Sequence, residues 1–430
     1  MATECHPYNR SPRSLPRGVT DLIPKNPVFW ARKLKPVFEV ARRRPHTKRM
    51  RIGLDALPLT SPKTGVGHYT WEVAVGLALL QPATRFDLVY PTTSPPVTLA
   101  DGAEFPSNLK LDRVPVGPMG RHWWSIGLPR HIRRSAIDLF HGTNFDVPLR
   151  RRCATVLTIH DLSPLLYPET HTRRSVKRAR RRLPMMVRLA DAIITPTETV
   201  RGELAEYLKG TQEKIFAIPE AARAIFQPVD FAATESVRRR LGIGDEFLLA
   251  VGTIEPRKNL EVLITAFEEV VRARPASGLQ LVIAGAAGWL SGPLFEAFGK
   301  SPARERIILT RYLHDDDLRA LYSSCRAFVY PSIYEGFGLP PLEAMACGAP
   351  VIASDIPALS ETLDNAAHFF DPQSSQQLSK AIIQVTTNQD LRQRLMSAGL
   401  RQAREASWER TARLTLEVYE AAQKKFMRRQ

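Results

Sequence analysis

Two acids, Glu335 and Glu343, stand eight residues apart in YEGFGLPPLEAMACGAPVIASD (334–355), where Asp355 is the only other charged residue. A carboxylate accepts two hydrogen bonds at once, which suits the vicinal diol that ribose and hexoses both present. Gly336 and Gly338 let the backbone come close to a ligand with N–H groups free to donate. The apolar runs AFVYPS and PVIASD on either side read as strands, so Glu335 falls on a loop at a strand's carboxyl end. Pro340 and Pro341 open a short helix that Gly348 closes, which puts Glu343 in its first turn. A Glu in that position also complements a helix dipole or completes a capping box, and a loop Glu is often plain surface. Singly, each acid reads that way. Paired across a Gly-x-Gly turn, they read as a site for a polar, uncharged sugar attached to a nucleotide.

Further candidates sit at other strand ends. VGTIEPRKNLEVLITAF (251–267) places Gly252, Arg257 and Lys258 between a strand and a helix. Arg, Lys and a helix N-terminus can neutralise a departing nucleoside diphosphate without a metal; the alternative is a solvated basic pair. In TSPKTGVGHYTWEV (60–73), Gly65, Val66 and Gly67 form either a loop whose amides reach a phosphate or acceptor, or a plain turn. TVLTIHDLSPLLYPE ends a strand with His160 and Asp161, a step suited to acid–base chemistry or to a hydrogen-bonded structural histidine. HGTNF ends the neighbouring strand and offers His141 and Asn144 as acceptor-side contacts.

The elements that must hold these residues alternate. RIGLDAL, FDLVYP, LKLDRVPV, DLFHG, TVLTIHDL, DAIITPT and KIFAIPE read as strands, with helices at 67–80, 172–190 and 197–208 between some of them. FLLAVGT, LQLVIAG, RIILTRYL, AFVYPS, PVIASD and AHFFDP form a second series, with helices from Leu260, at 315–324, 341–347, 374–388 and 390–405, and from Trp408 to about Phe426. Such alternation predicts an α/β chain of two doubly wound parallel sheets, 50–228 and 229–405, joined near IPEAARAIFQP (218–228) and followed by a terminal helix in 406–430. Ligands bind beyond the carboxyl ends of such strands, so two facing domains enclose a cleft.

A length of 430 residues suits two cores. The 44% hydrophobic and 24% charged content is that of a soluble globular protein. Four scattered cysteines without a CxxC pair suit a reducing compartment and argue against a zinc site. There is neither an apolar run of about 18 residues nor a secretory signal block, so a cytosolic protein is expected. The net charge of +17 is concentrated in two segments. Residues 1–49, a Pro- and Arg-rich tail, carry twelve basic and three acidic residues; HTRRSVKRARRRLPMMVR (171–188) carries eight basic and none acidic. In the second, Arg173, Arg174, Lys177, Arg178, Arg181, Arg182 and Arg188 recur at helical spacing, with Leu183, Met185, Met186 and Val187 offering apolar contact. The helix is either a solvated charged surface or, preferably, one that meets anionic lipid at about 1 kcal/mol per cation. Neither segment has the interleaved aromatics of a nucleic-acid platform, and no nucleic acid is expected as partner.

EGFGLPPLE resembles the E-x7-E motif of the retaining glycosyltransferases of family 4, or group 1, and the likeness runs from about Arg51 to Tyr419. The resemblance implies the GT-B fold, two Rossmann-like domains facing an interdomain cleft, with an acceptor domain first and a nucleotide-sugar domain second. ASWERTARLTLEVY is similar to the terminal helix that crosses back to the first domain. It also implies that Glu335 and the backbone of Gly336, Phe337 and Gly338, with Leu339, meet the donor sugar and its phosphate, and that Glu343 holds the ribose. Lys258 takes the place of the family's phosphate lysine and Arg257 stands for its arginine, although many relatives place that arginine where this chain has Thr253. The glycine loop 65–67 would reach across the cleft, and His160 would lie near the transferred sugar. Arg311 replaces a glycine that usually lies near the base, which leaves the base open. GTIEPRKNL is similar to bacterial mannosyltransferases of surface polysaccharide assembly, so GDP-mannose is the leading donor and a glycan or lipid-linked molecule the acceptor. No metal or separate cofactor is implied, and the work would be done in the cytoplasm or on the membrane's inner face. A UDP-sugar transferase or epimerase of the same fold is the first alternative; a basic nucleic-acid- or membrane-binding protein without transfer activity is the second.

Overall fold

The computed structural model describes residues 50–61, 64–97, 105–117 and 122–429; the basic segment 1–49 lies outside the described residues. Strands form where the apolar runs are densest. The first series is β1 (Arg51–Asp55), β2 (Arg85–Pro91), β3 (Leu109–Val114), β4 (Leu139–Gly142), β5 (Ala154–Thr158), β6 (Ala192–Thr195) and β7 (Ile215–Ala217). The second is β8 (Phe247–Val251), β9 (Gln280–Ala284), β10 (Ile307–Arg311), β11 (Ala327–Tyr330), β12 (Val351–Ser354) and β13 (Ala367–Phe370). They build two sheets, ordered β3-β2-β1-β4-β5-β6-β7 and β10-β9-β8-β11-β12-β13. Every pairing within them is parallel. Strands such as β5, β11 and β12 are buried at every position, because parallel sheets are covered on both faces by their crossover helices. The two doubly wound sheets expected from the alternation are thus present.

In each sheet the strand order reverses once, beside β1 and β4 in the first and beside β8 and β11 in the second. The crevice at such a reversal is where open α/β sheets take ligands. The loops leaving β8 and β11 therefore lie side by side, although two strands and several helices separate them in the chain.

Helix Trp408–Met427 packs on helix Gly65–Leu80, placing Ala412, Val418, Tyr419 and Ala422 in one core with Tyr69, Val73 and Leu77. The two backbones approach closely: a Cβ on Gly76 would come within 2.9 Å of Ala412 Cβ. Helices Leu128–Arg134, Phe231–Leu241, Gly292–Lys300 and Pro357–Leu363 lie outside the helices expected from the sequence. Three of them span nine residues or fewer and hold a proline at their start, and so few turns give periodicity little to register.

The basic helix spans Arg173–Leu189, with the Thr172 side chain accepting from Ser175 N–H. Its apolar side is a correction to the sequence reading. Leu183, Met186 and Val187 are buried against Leu157, Ile159 and Ile193 of the first sheet, and Met185 packs on the same cluster. These residues are not available to a lipid surface. The outward face is cationic, with Arg173, Arg174, Lys177, Arg178, Arg181 and Arg188 exposed, while Arg182 pairs with Asp146 at 2.5 Å.

Candidate active site

The turn after β8 is held by Asn259, which takes a left-handed φ of 54° and donates its amide to Pro331 O at 3.0 Å and Pro372 O at 2.8 Å. That fixes Arg257 and Lys258 against the loop after β11. Lys258 Nζ lies 2.5 Å from Glu335 Oε1 and 2.7 Å from the Tyr330 hydroxyl, and Arg257 Nη1 lies 2.9 Å from Glu335 Oε2. Arg257 also pairs with Glu255 at 2.6 Å and donates to Tyr334 O at 2.9 Å. Burial alone would raise the Glu335 carboxyl, but the Arg257 and Lys258 charges outweigh it and hold it at about 2. Burial lowers the proton affinity of Lys258 in spite of Glu335. Two cations thus face one ionised acid, leaving the cluster net positive unless Glu255 is counted, and phosphate oxygens would complete it.

Gly336 and Gly338 have different reasons to be glycine. A Cβ on Gly336 would stand 1.8 Å from the His160 carbonyl oxygen, and Gly338 turns with φ of 105°. Thr197 Oγ1 donates to Gly336 O at 2.9 Å, so the loop carrying Glu335 is clamped to the first sheet's strand ends. Phe337 is buried there, and Leu339 faces Gly65 across the cleft, 3.7 Å from where a Cβ would be. Gly65, Val66 and Gly67 are the first three residues of helix Gly65–Leu80, whose opening N–H groups are unpaired within the helix. A helix N-terminus aimed at this cleft suits an anion. Gly252 lies behind, its Cβ position 3.3 Å from Lys258 Cε.

Glu343 needs a correction. The helix begins at Leu339, one residue before the prolines, so Glu343 is its fifth residue and lies past the first turn. It therefore gains little from the dipole. Its partner is Arg223, whose Nε lies 3.1 Å from Glu343 Oε1 and whose two terminal nitrogens grip Asp315 at 2.6 and 3.0 Å. Burial pushes Glu343 up to about 7, with Arg223 offsetting part of that rise.

The histidines part company. His160 Nε2 lies 2.9 Å from Thr143 O and Nδ1 lies 3.3 Å from Glu220, while its backbone carbonyl is the group that meets Gly336. His141 does not face the cleft: it is fully buried between the Tyr419 hydroxyl at 2.8 Å and Thr158 Oγ1 at 2.7 Å, so it offers no atom to an acceptor. Burial drives its proton affinity down to about 3. Asn144 is half-buried, and Asp161 Oδ1 accepts from Ser163 N–H at 2.8 Å and its hydroxyl at 2.7 Å. Sequence reasoning missed Glu220, Arg223 and Asp315. Glu220 and Arg223 are the only formal charges in IPEAARAIFQP, and isolated charges in an apolar connector were the available signal. Among the described residues, no group of three or more His, Cys, Asp or Glu could hold a metal ion.

Two facing doubly wound sheets with this cluster at the strand ends define a class. The Glycosyltransferase Family 4 model matches residues 64–222, and the Glycosyl transferases group 1 model matches 234–402. The chain belongs to the group 1 (family 4) glycosyltransferases, enzymes of the GT-B fold. It is 28% identical over 396 residues to O-antigen chain mannosyltransferase B of Escherichia coli, spanning 86% of this chain and 99% of that protein. It is 34% identical over 277 residues to the serotype-specific mannosyltransferase WbdA of Escherichia coli, covering 62% of this chain and 33% of WbdA. Among solved structures, sucrose-phosphate synthase from Thermosynechococcus elongatus superposes with a TM-score of 0.69 at 20% identity, over 86% of this chain and 98% of that one.

Proposed function

We propose that this glycosyltransferase moves a mannosyl group from GDP-mannose to a glycan or lipid-linked acceptor during assembly of a cell-surface polysaccharide, with retention at the anomeric carbon. The observation that carries the reading is the buried Arg257–Lys258–Glu335 cluster beside the helix N-terminus at Gly65. The choice of mannose rests on the likeness to O-antigen chain mannosyltransferase B along almost its whole length.

In this reading, residues 229–405 hold the donor, 50–228 meet the acceptor, and the terminal helix ties the two together. Glu335 and the amides of Gly336, Phe337 and Gly338, with Leu339, take the sugar and its phosphate; Glu343 takes the ribose diol. The bond from the sugar's anomeric carbon to the phosphate oxygen breaks, and the acceptor hydroxyl bonds that carbon from the same face. The hydroxyl proton passes to the departing phosphate oxygen, whose charge Arg257 and Lys258 stabilise. His160 lies beside the transferred sugar, with Asp161 and Asn144 toward the acceptor. The outward cations of helix Arg173–Leu189, joined by those of residues 1–49, hold the enzyme on an anionic membrane surface at the cytoplasmic side. No helix among the described residues is long and apolar enough to cross a membrane.

The deciding experiment incubates the protein with GDP-mannose and a panel of UDP-sugars and follows donor hydrolysis and transfer by mass spectrometry. Turnover of GDP-mannose alone supports the reading; turnover of UDP-sugars alone replaces the donor.

A further inference from the structure

Two histidines stand close together at the first sheet, His141 fully buried in β4 and His160 just past the end of β5 with its side chain 11% exposed, and their surroundings differ in one respect. His141 lies between two hydroxyls, each able to donate or accept, and a neutral imidazole satisfies both. His160 lies between two oxygens that only accept: the Thr143 carbonyl, 2.9 Å from Nε2, and the Glu220 carboxylate, 3.3 Å from Nδ1. A neutral ring carries one N–H and would turn a bare lone pair toward one of those oxygens, inside a buried site. A ring with two N–H groups serves both. Glu220 is itself 4% exposed and comes from the connector between the sheets. That connector is anchored where Thr411 Oγ1 of the terminal helix donates to Pro219 O at 2.7 Å.

We propose that Glu220 is a positioning residue that holds His160 as an imidazolium, so that the residue whose carbonyl meets the Glu335 loop carries a fixed positive charge on its ring and does not accept a proton during transfer. The role in transfer rests on the cleft being the transfer site; the state of the ring does not. The groups facing the ring are few. Asp161 follows it in the chain, Glu220 comes from the connector, Tyr69 of helix Gly65–Leu80 meets it edge-on at 4.7 Å, and His141 from β4 stays neutral. Burial opposes the charge, but the Glu220 bond and the two acids prevail, and the ring's proton affinity is raised. The substitution Glu220→Gln would present an amide N–H to Nδ1 in place of a carboxylate oxygen, which favours the neutral ring.

The test uses the full chain labelled at histidine, with the His160 signals assigned by their loss in His160→Gln. Ring carbon and nitrogen shifts are followed from about pH 5.5 to about pH 9. The wild-type ring is expected to titrate above about 6.5 and the Glu220→Gln ring at a midpoint lower by at least about one pH unit. Transfer is followed in parallel. The wild-type rate should show no alkaline fall at the ordinary histidine midpoint. The Glu220→Gln rate should fall about tenfold for each unit of pH above its lowered midpoint, and recover toward wild type as the ring recharges in acid. A wild-type ring that titrates at or below about 6.5, or a midpoint unmoved by Glu220→Gln, overturns the proposal. Should Glu220→Gln fail to fold, the wild-type titration still decides, and Glu220→Asp should keep the raised midpoint. A high midpoint in a protein that transfers no sugar would uphold the charged ring and overturn its role in transfer.

Discussion

Lys258 and Glu335 show how far single side chains carry the chemistry. Lys258→Ala removes one of two cations facing the leaving phosphate. Turnover should fall about 10²- to 10³-fold, the scale for losing one preorganised charge-stabilising group, while nucleotide binding changes less; steady-state kinetics against isothermal titration separates the two. Glu335 also bears on stability. Its carboxyl is held at about 2 in the folded chain against an ordinary 4.5, so the folded state is favoured wherever the acid is ionised. That contribution, on the order of 3 kcal/mol, is complete above the ordinary value and fades as pH falls from 4.5 toward 2. The gap in urea midpoint between wild type and Glu335→Gln should narrow by roughly half between about pH 6 and about pH 3, and close only as pH nears the folded value. Equal midpoints at both pH values would show that the pairing contributes nothing.

Loops and connectors set where those side chains meet. Gly336 lies so close to His160 that one methyl group cannot fit, and the atom in the way is backbone, which cannot swing aside. Gly336→Ala must part the two strand-end loops, and kcat/KM should drop by more than about tenfold without loss of secondary structure by circular dichroism. The connector makes a second prediction. Arg223→Ala strips Glu343 of its cation, so burial raises that carboxyl further above its present value of about 7. At pH 7 the acid is then largely protonated and accepts hydroxyls poorly. Nucleotide affinity should weaken and recover as pH rises. Arg311 adopts a left-handed φ of 61° at the bulge ending β10. Glycine suits that backbone, and Arg311→Gly is expected to raise the urea midpoint by an amount worth about 0.5 kcal/mol, strain relief exceeding the added chain entropy.

Across the whole molecule, the terminal helix is fastened to the first sheet by a buried polar chain running from Tyr419 through His141 and Thr158 to Tyr69. Tyr419→Phe leaves a His141 nitrogen without its partner in a dry site and should cost about 1 to 3 kcal/mol in urea unfolding. The lobes also meet away from the cluster. Glu361 accepts from Glu198 N–H at 2.7 Å and Thr199 N–H at 2.9 Å, capping a helix of the first sheet from the second. Tyr334 donates to Glu203 at 2.6 Å.

The thirteen strands among the described residues, and their two series, were legible in the sequence: most are near-continuous apolar runs, as buried parallel strands are, while the edge strand β3, LKLDRV, showed itself by alternation. The sequence also marked the acids, cations and glycines of the Glu335 loop, since charges and Gly-x-Gly turns stand out against apolar flanks. Their partners come from segments far away in the chain. Lys258 reaches Glu335 because β8 pairs with β11, Glu343 finds Arg223 from a connector 120 residues earlier, and His141 turns inward where a strand-end histidine could equally have faced the cleft. The apolar side of the basic helix went to the first sheet for the same reason. Which partner buries a surface depends on packing between distant segments, and no local pattern of residues encodes that choice.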